Sequence, residues 1–285
     1  MARLLDLHAW DALPAIAERG PGWALLQGDC VEALEQLPPA SVDVAFADPP
    51  YMLSNGGTTC QSGRRASVNK GGWDASGGIA QDHAFQTRWL CAVRRVLKPS
   101  GTIWVSGTQH VIFSIGFAMQ ELGFHLLNTV TWYKPNASPN LACRFFTHST
   151  EILLWASPSR SKPLAHRFNY RAMKTANGGK QMRDLWEIAE RPEPEGEQVV
   201  WSVPTPGVRE KVHGRHPTQK PLALLQRVLA ASAVPGDLVL DPFSGSGTTG
   251  VAALQAGCRF LGMERDPSYV DLAARRFRAA ALDAE

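Results

Sequence analysis

Apolar and polar positions along this chain follow two periods that take turns. Trp23-Ala24-Leu25-Leu26-Gln27 is a short apolar run, Gly28-Asp29 is a turn, and residues 30–37 carry apolar side chains at helical spacing. Asp29 stands where an N-cap belongs, although a ligand contact from the strand end is open to it too. Residues 41–46 alternate and then run on as apolar, which suits a buried strand. Beyond residue 78 the spacing predicts a helix over 79–97, a strand over 102–107, a helix over 111–122, and strands over 124–133 and 149–156. The rhythm returns with a helix over 222–233, a strand over 237–241, a helix over 250–256, a strand over 259–264 and a helix over 267–281, whose Arg275, Arg276 and Arg278 suit its C-terminal dipole. Strands alternating with helices predict an α/β fold, with a mostly parallel sheet covered on both faces.

Two stretches break the rhythm. Residues 52–78 have neither period and read as a long loop carrying Arg64, Arg65, Lys70 and Trp73. That mix suits phosphate contact plus stacking, or simply a solvated loop. Residues 157–215 interleave Arg167, Arg171, Lys174, Lys180 and Arg183 with Phe168, Tyr170, Trp186 and Trp201. The segment reads as a small appended module whose basic face meets nucleic acid.

Composition narrows the classes. Of 285 residues, 44% are hydrophobic and 19% charged, which describes a folded protein rather than a disordered one. The net charge of +3 is too small to require an anionic partner by itself. No run reaches the ~18 apolar residues of a membrane span, and residues 1–6 lack a signal-peptide core. A cytoplasmic protein is expected. The five cysteines are scattered, so neither a zinc site nor a disulfide framework is expected, and no metal.

Asp48-Pro49-Pro50-Tyr51 follows the strand over 41–46, and proline cannot continue a central strand. Asp48 therefore belongs at a strand's carboxyl end, the edge where open α/β sheets bind ligands. An acid, a fixed carbonyl and a ring suit a flat group bearing NH2; a capped proline turn is the plainer alternative. Asp241-Pro242-Phe243-Ser244-Gly245-Ser246-Gly247-Thr248-Thr249 is a strand end, a glycine turn and a helix start. Glu264 ends the next strand, about 20 residues on, the spacing at which an acid meets ribose hydroxyls.

The two motifs, with His216-Pro217-Thr218-Gln219-Lys220-Pro221 between them, resemble amino-group DNA methyltransferases. The order, acid motif first and glycine motif last with a basic segment between, resembles the beta class of restriction–modification systems. The resemblance covers roughly residues 23–280 and implies a Rossmann-like S-adenosylmethionine-dependent methyltransferase fold. It divides the chain into a catalytic half (1–156), a target-recognition region (157–215) and a cofactor-binding half (216–285). It implies that Asp241, Phe243, Ser244, Gly245, Gly247, Thr248 and Thr249 line the S-adenosylmethionine pocket. Glu264 would take the ribose, Asp29 lie near the adenine, and Thr218 and Lys220 hold the methionine end. Asp48, Pro49, Pro50 and Tyr51 would form the catalytic clamp on a base flipped out of DNA, and a homodimer is expected. Cytosine-N4 enzymes of the family more often carry Ser at the position of Asp48, so adenine N6 is favoured as the target, with cytosine N4 as the alternative.

Overall fold

The computed structural model describes residues 16–282, apart from 55, 57, 62, 63, 68–70, 138, 142, 161–163, 187–205, 207 and 215. The elements in order are β1 (Ile16–Gly20), β2 (Trp23–Gln27), α1 (Cys30–Glu35), β3 (Val42–Ala47), β4 (Thr58–Gln61), β5 (Arg64–Ser67), α2 (Ile79–Val96), β6 (Leu97–Gly107), α3 (Ile112–Glu121), β7 (His125–Tyr133), β8 (Thr150–Ser157), α4 (Tyr170–Ala176), β9 (Leu185–Trp186), α5 (Leu222–Ser232), β10 (Leu238–Asp241), α6 (Thr248–Gln255), β11 (Arg259–Glu264) and α7 (Pro267–Leu282).

The main sheet runs β1-β2-β11-β10-β3-β6-β8-β7-β9. Neighbours from β2 through β6 pair in parallel, as do β7 and β9, whereas β1 and β8 run against their neighbours. Chain order reverses between β10 and β3. From β10 the chain passes through α6 to β11 on one side; from β3 it passes through α2 to β6 on the other. That reversal opens a crevice beyond the carboxyl ends of the two strands, the usual ligand position in such sheets. Asp241 ends β10 and Asp48 directly follows β3.

Strand residues alternate between two cores, as pleating requires. Ala45 and Ala47 pack with Trp89, Leu90, Val93 and Ile115 beneath α1, α2 and α3, and Val42 joins them because the strand is irregular between Val42 and Val44. Val44 and Phe46 face the other way, toward Leu224, Leu225, Val251 and Phe277 beneath α5, α6 and α7. Both faces are thereby covered, and the crevice sits on a rigid edge. Among the described residues no helix is long and apolar enough to cross a membrane.

Three expectations need correction. Residues 52–78 are not featureless: β4 and β5 pair as an antiparallel hairpin, Thr58 opposite Ser67 and Gln61 opposite Arg64. The described part of 157–215 is not a separate module. α4 buries Met173 in the second core, and β9 joins the sheet edge beside Thr131 and Trp132. Nor are the arginines of the closing helix set by its dipole. Arg278 pairs with Glu18 at 2.5 Å, Arg275 with Asp271 at 3.3 Å, and Arg276 is buried.

Candidate active site

Register brings the first motif its partners. Ala47 pairs with Val105, so Ser106 lies beside Asp48, and Ser106 itself pairs with Leu153 of the incoming β8. Glu151, near the start of β8, therefore arrives at the same edge, opposite Trp132. The Tyr51 hydroxyl donates to Asp48 Oδ1 at 2.8 Å and lies 3.1 Å from Glu151 Oε2 and 3.2 Å from Ser106 Oγ. Ser106 donates to the same Asp48 oxygen at 2.6 Å. On the other side Lys220 donates to Asp48 Oδ2 at 2.5 Å, lies 3.7 Å from Glu151, and holds its ammonium 5.1 Å from the Tyr51 ring centre. Lys134 pairs with the second oxygen of Glu151.

Tyr51, Glu151 and Lys220 are all buried. Burial, then the charges of Asp48 and Glu151, pushes the Tyr51 hydroxyl well above its ordinary pKa, so it stays a neutral donor. Burial alone would raise Glu151, but the ammonium groups of Lys220 and Lys134 hold it below the usual carboxylate range. Burial alone would lower Lys220, but Asp48 and Glu151 hold it above its ordinary value. The result is a fixed acid, Asp48, with Oδ1 locked by two hydroxyls and Oδ2 facing a cation.

The second motif builds the adjoining wall. Gly245 takes φ +51 and Gly247 φ +77, left-handed values that favour glycine. A Cβ on Gly245 would stand 3.2 Å from the His216 ring. The Glu264 carboxylate accepts the backbone N–H of Gly245, Arg265 and Asp266, each at 2.8 Å, which ties the glycine turn to the end of β11. Asp241 accepts the Thr249 hydroxyl at 2.5 Å and the Phe243 N–H at 2.9 Å, and burial pushes its pKa up to about 7. Arg276 reaches in from α7 and donates to Ser246 O at 2.6 Å and Thr248 Oγ1 at 3.0 Å.

Between the motifs lies a cavity of about 720 Å³, within the usual range for a small-molecule site. Asp29, Asp48, Pro49, Pro50, Tyr51, Thr218, Lys220, Asp241, Phe243, Ser244, Gly245, Thr248, Thr249 and Glu264 all line it. Gly247 does not: a Cβ there would meet Phe277 at 2.7 Å, so this glycine serves a tight turn over α7 rather than the cavity wall. Asp29 caps α1 through Val31 N at 2.9 Å and also lines the cavity. Thr218 hydrogen-bonds the His216 ring at 3.3 Å. Ser244 and Gln219 also line the cavity, but their Oγ and Oε1 are buried away from the open space, without a hydrogen-bond partner among the described residues. The wall itself sets the carboxylates of Asp29 and Asp48 beside the Phe243 ring, which fits a ligand with polar and apolar parts.

A family model described as DNA methylase matches residues 42–275. The chain belongs to that family. It is 44% identical over 258 residues to the Type II methyltransferase M2.DpnII of Streptococcus pneumoniae, covering 90% of this chain and 89% of the relative. The Type II methyltransferase M2.MboI of Moraxella bovis is 42% identical over 253 residues, covering 89% and 86%. Among solved structures, the fold is similar to the PvuII DNA methyltransferase (cytosine-N4-specific), with TM-score 0.66, 19% identity and 90% and 86% of the two chains covered. It is also similar to the M1.HpyAVI–SAM complex, with TM-score 0.59, 23% identity, and 89% and 98% covered. The chain is a DNA methyltransferase.

The expected DNA contacts of this methylase fare unevenly. Arg167 pairs with Asp237, just ahead of β10, at the amino edge of the sheet. Arg171 and Lys174 are exposed on α4, which begins beside the far end of α5 through Asn169 and Ala233. At 1.5 Å per residue that is about 16 Å from Lys220, where α5 starts. Lys180 and Arg183 are exposed before β9. Arg64 and Arg65 lie on β5, and Lys70 falls outside the described residues. Among the described residues no cluster of His, Cys, Asp or Glu could hold a metal ion. Sequence reasoning missed Ser106, Lys134, Glu151 and Arg276.

Proposed function

We propose that this methylase modifies the exocyclic N6 of adenine in DNA, with Asp48 and the Pro49 carbonyl as the clamp on the amino group. The observation that carries the reading is the placement of Asp48, fixed at the crevice mouth by Tyr51, Ser106 and Lys220. Aspartate rather than serine at position 48 favours adenine over cytosine, as the resemblance implies.

An aromatic amino group is a poor nucleophile because its lone pair is delocalised into the ring. Asp48 and the Pro49 carbonyl each accept one N–H, which favours the pyramidal nitrogen and frees its lone pair. Nitrogen gains positive charge as it reacts, so the charge-assisted bond to Asp48 strengthens in the transition state. Lys220 balances the carboxylate without filling both lone pairs of Oδ2. The Tyr51 ring, held by its own hydroxyl, offers a flat wall for a base taken out of the helix. S-adenosylmethionine supplies a methyl group already activated on a sulfonium. Gly245, Ser244, Thr248, Thr249, Asp241, Phe243, Thr218 and Glu264 would hold it, with Asp29 near its adenine. Fixing donor and acceptor in one cavity supplies much of the remaining rate.

The same reading makes 157–215 the target-recognition region, with Arg171, Lys174, Lys180 and Arg183 as phosphate contacts, and takes Arg64, Arg65 and Lys70 of the 52–78 segment as further DNA contacts. It also carries a homodimer working in the cytoplasm. The test is methylation of plasmid DNA with tritiated S-adenosylmethionine, followed by digestion to nucleosides. Label in N6-methyladenine supports the assignment; label in N4-methylcytosine replaces it with the cytosine reading.

A further inference from the structure

We propose that Asp74 is a positioning residue for methyl transfer: its carboxylate holds the chain just after the clamp in a left-handed turn, and so fixes Pro49, Pro50 and Tyr51 at the crevice. The turn is at Met52, whose φ is +56. That region suits glycine, and a side chain as long as methionine occupies it only where the surroundings impose it. Tyr51 on one side sends its hydroxyl to Asp48, and Leu53 on the other packs back against the core beneath α1, α2 and α3. Met52 alone lies between them, so it carries the change of direction.

The residues that follow the turn are tied to Asp74. Leu53 N donates to Asp74 Oδ2 at 3.1 Å, Ser54 Oγ donates to the same oxygen at 3.0 Å, and Ser54 N donates to Asp74 O at 3.1 Å. Asp74 is 2% exposed, and its side-chain donors among the described residues are an amide and a hydroxyl rather than a cation. Taking a charge out of water for two neutral donors is a poor source of stability. What the arrangement supplies is geometry, with consecutive residues converging on one oxygen. Asp74 is itself fixed. Gly72–Asp74 form a 3-10 turn, and Asp74 N donates to Gly71 O at 3.1 Å. Gly71 takes φ +119, and a Cβ there would stand 2.8 Å from the Trp73 indole nitrogen, so the turn is closed over its own ring. Pro49, Pro50, Tyr51, Leu53, Trp73 and Asp74 all line the cavity, so anchor and clamp border the same space. A displacement of about 1 Å at a reacting group can cost about a hundredfold in rate. Slackening this turn would displace the Pro49 carbonyl and the Tyr51 ring. The role rests on the clamp reading of Asp48 and Pro49 proposed above.

The experiment measures kcat and KM for DNA of wild type, Asp74→Ala, Asp74→Asn and Ser54→Ala, with S-adenosylmethionine affinity and stoichiometry by calorimetry. It then repeats Asp74→Ala in a Met52→Gly background. Asp74→Ala is expected to lower kcat about 10- to 100-fold, with cofactor affinity within about threefold of wild type and stoichiometry unchanged. Asp74→Asn keeps an acceptor oxygen for Leu53 and Ser54 and stays within about threefold of wild type. Ser54→Ala leaves the buried carboxylate in place and lowers kcat about tenfold, which keeps the test open if Asp74→Ala does not fold. Glycine adopts a left-handed turn unaided, so Asp74→Ala costs less kcat beside Met52→Gly than it does alone. A carboxylate that touched the ligand directly would cost the same in both backgrounds. Equal losses in the two backgrounds therefore overturn the proposal, as does normal kcat in both Asp74→Ala and Ser54→Ala, or a loss of cofactor affinity in proportion to kcat. Failure of the clamp reading is distinguishable, because it shows as turnover by Asp48→Ala whatever Asp74→Ala does.

Discussion

Lys220→Met isolates the buried charge network. The ammonium is buried, holds Asp48 at 2.5 Å and lies 3.7 Å from Glu151. Methionine has nearly the same length and fills the space, so cavity formation adds little. What is lost is a charge. Removing one partner of a buried ion pair costs roughly 3–5 kcal/mol, because the other charge stays buried and uncompensated. Here Glu151 keeps Lys134, and Asp48 keeps the hydroxyls of Tyr51 and Ser106, so the lower end of the range applies, about 3 kcal/mol. At ~2.1 cal/mol/K of unfolding entropy per residue, that is a fall in Tm of roughly 5 °C near neutral pH for a chain of 285 residues. The effect depends on pH in a defined way. Glu151 is held below its ordinary pKa, so its contribution is present above about pH 4.5 and fades as pH falls through the lowered value. Lys220 is held above its ordinary pKa of 10.5, so its contribution is present below that pH and fades as pH rises further. Thermal unfolding of both proteins between pH 3 and 10 should give a steady Tm gap above about pH 4.5 and a gap that narrows below it. Parallel curves, or equal Tm at neutral pH, would refute the network as described.

Two further predictions follow from the same geometry. Tyr51→Phe keeps the ring but leaves Asp48 Oδ1 with only the Ser106 hydroxyl; kcat should fall about tenfold or more with cofactor affinity unchanged, and equal kcat would separate the hydroxyl from the chemistry. Asp241 has its pKa pushed up to about 7 by burial, so its ionisation costs the folded state as pH rises from the ordinary carboxylate range through about 7. Asp241→Asn should therefore gain Tm relative to wild type between pH 5 and 8, and a constant difference across that interval would show that the carboxyl is already ionised.

Much of the sheet was legible because its strands and helices switch period at the turns. The strand over 259–264 falls where the spacing puts it, and the helix over 79–97 ends one residue early. Asp48 and Asp241 were legible because a strand end followed by proline leaves an acid at the carboxyl edge, and Glu264 because it ends the strand about 20 residues beyond the glycine turn. The partners of Asp48 were not. Ser106 is a lone small hydroxyl in an apolar strand, and Glu151 sits 100 residues from Tyr51. Only the antiparallel entry of β8 between β6 and β7 brings Glu151 to the site, and local periodicity carries no strand order. Two polar residues at strand ends, Lys134 and Glu151, were the available signal. Arg276 was misread because its position near a helix end suggested a dipole contact, whereas tertiary packing turns it inward to the glycine turn. The β4–β5 hairpin is short and polar, so no alternation marked it.

The central claim is that Asp48 acts on the reacting amino group and not on cofactor binding. It is tested most directly with Asp48→Ala, measuring methyl transfer to plasmid DNA alongside S-adenosylmethionine affinity by calorimetry. Turnover is expected to fall at least about a thousandfold while cofactor affinity stays within a few fold of wild type. Near-normal turnover, or loss of cofactor affinity in proportion to turnover, would contradict it.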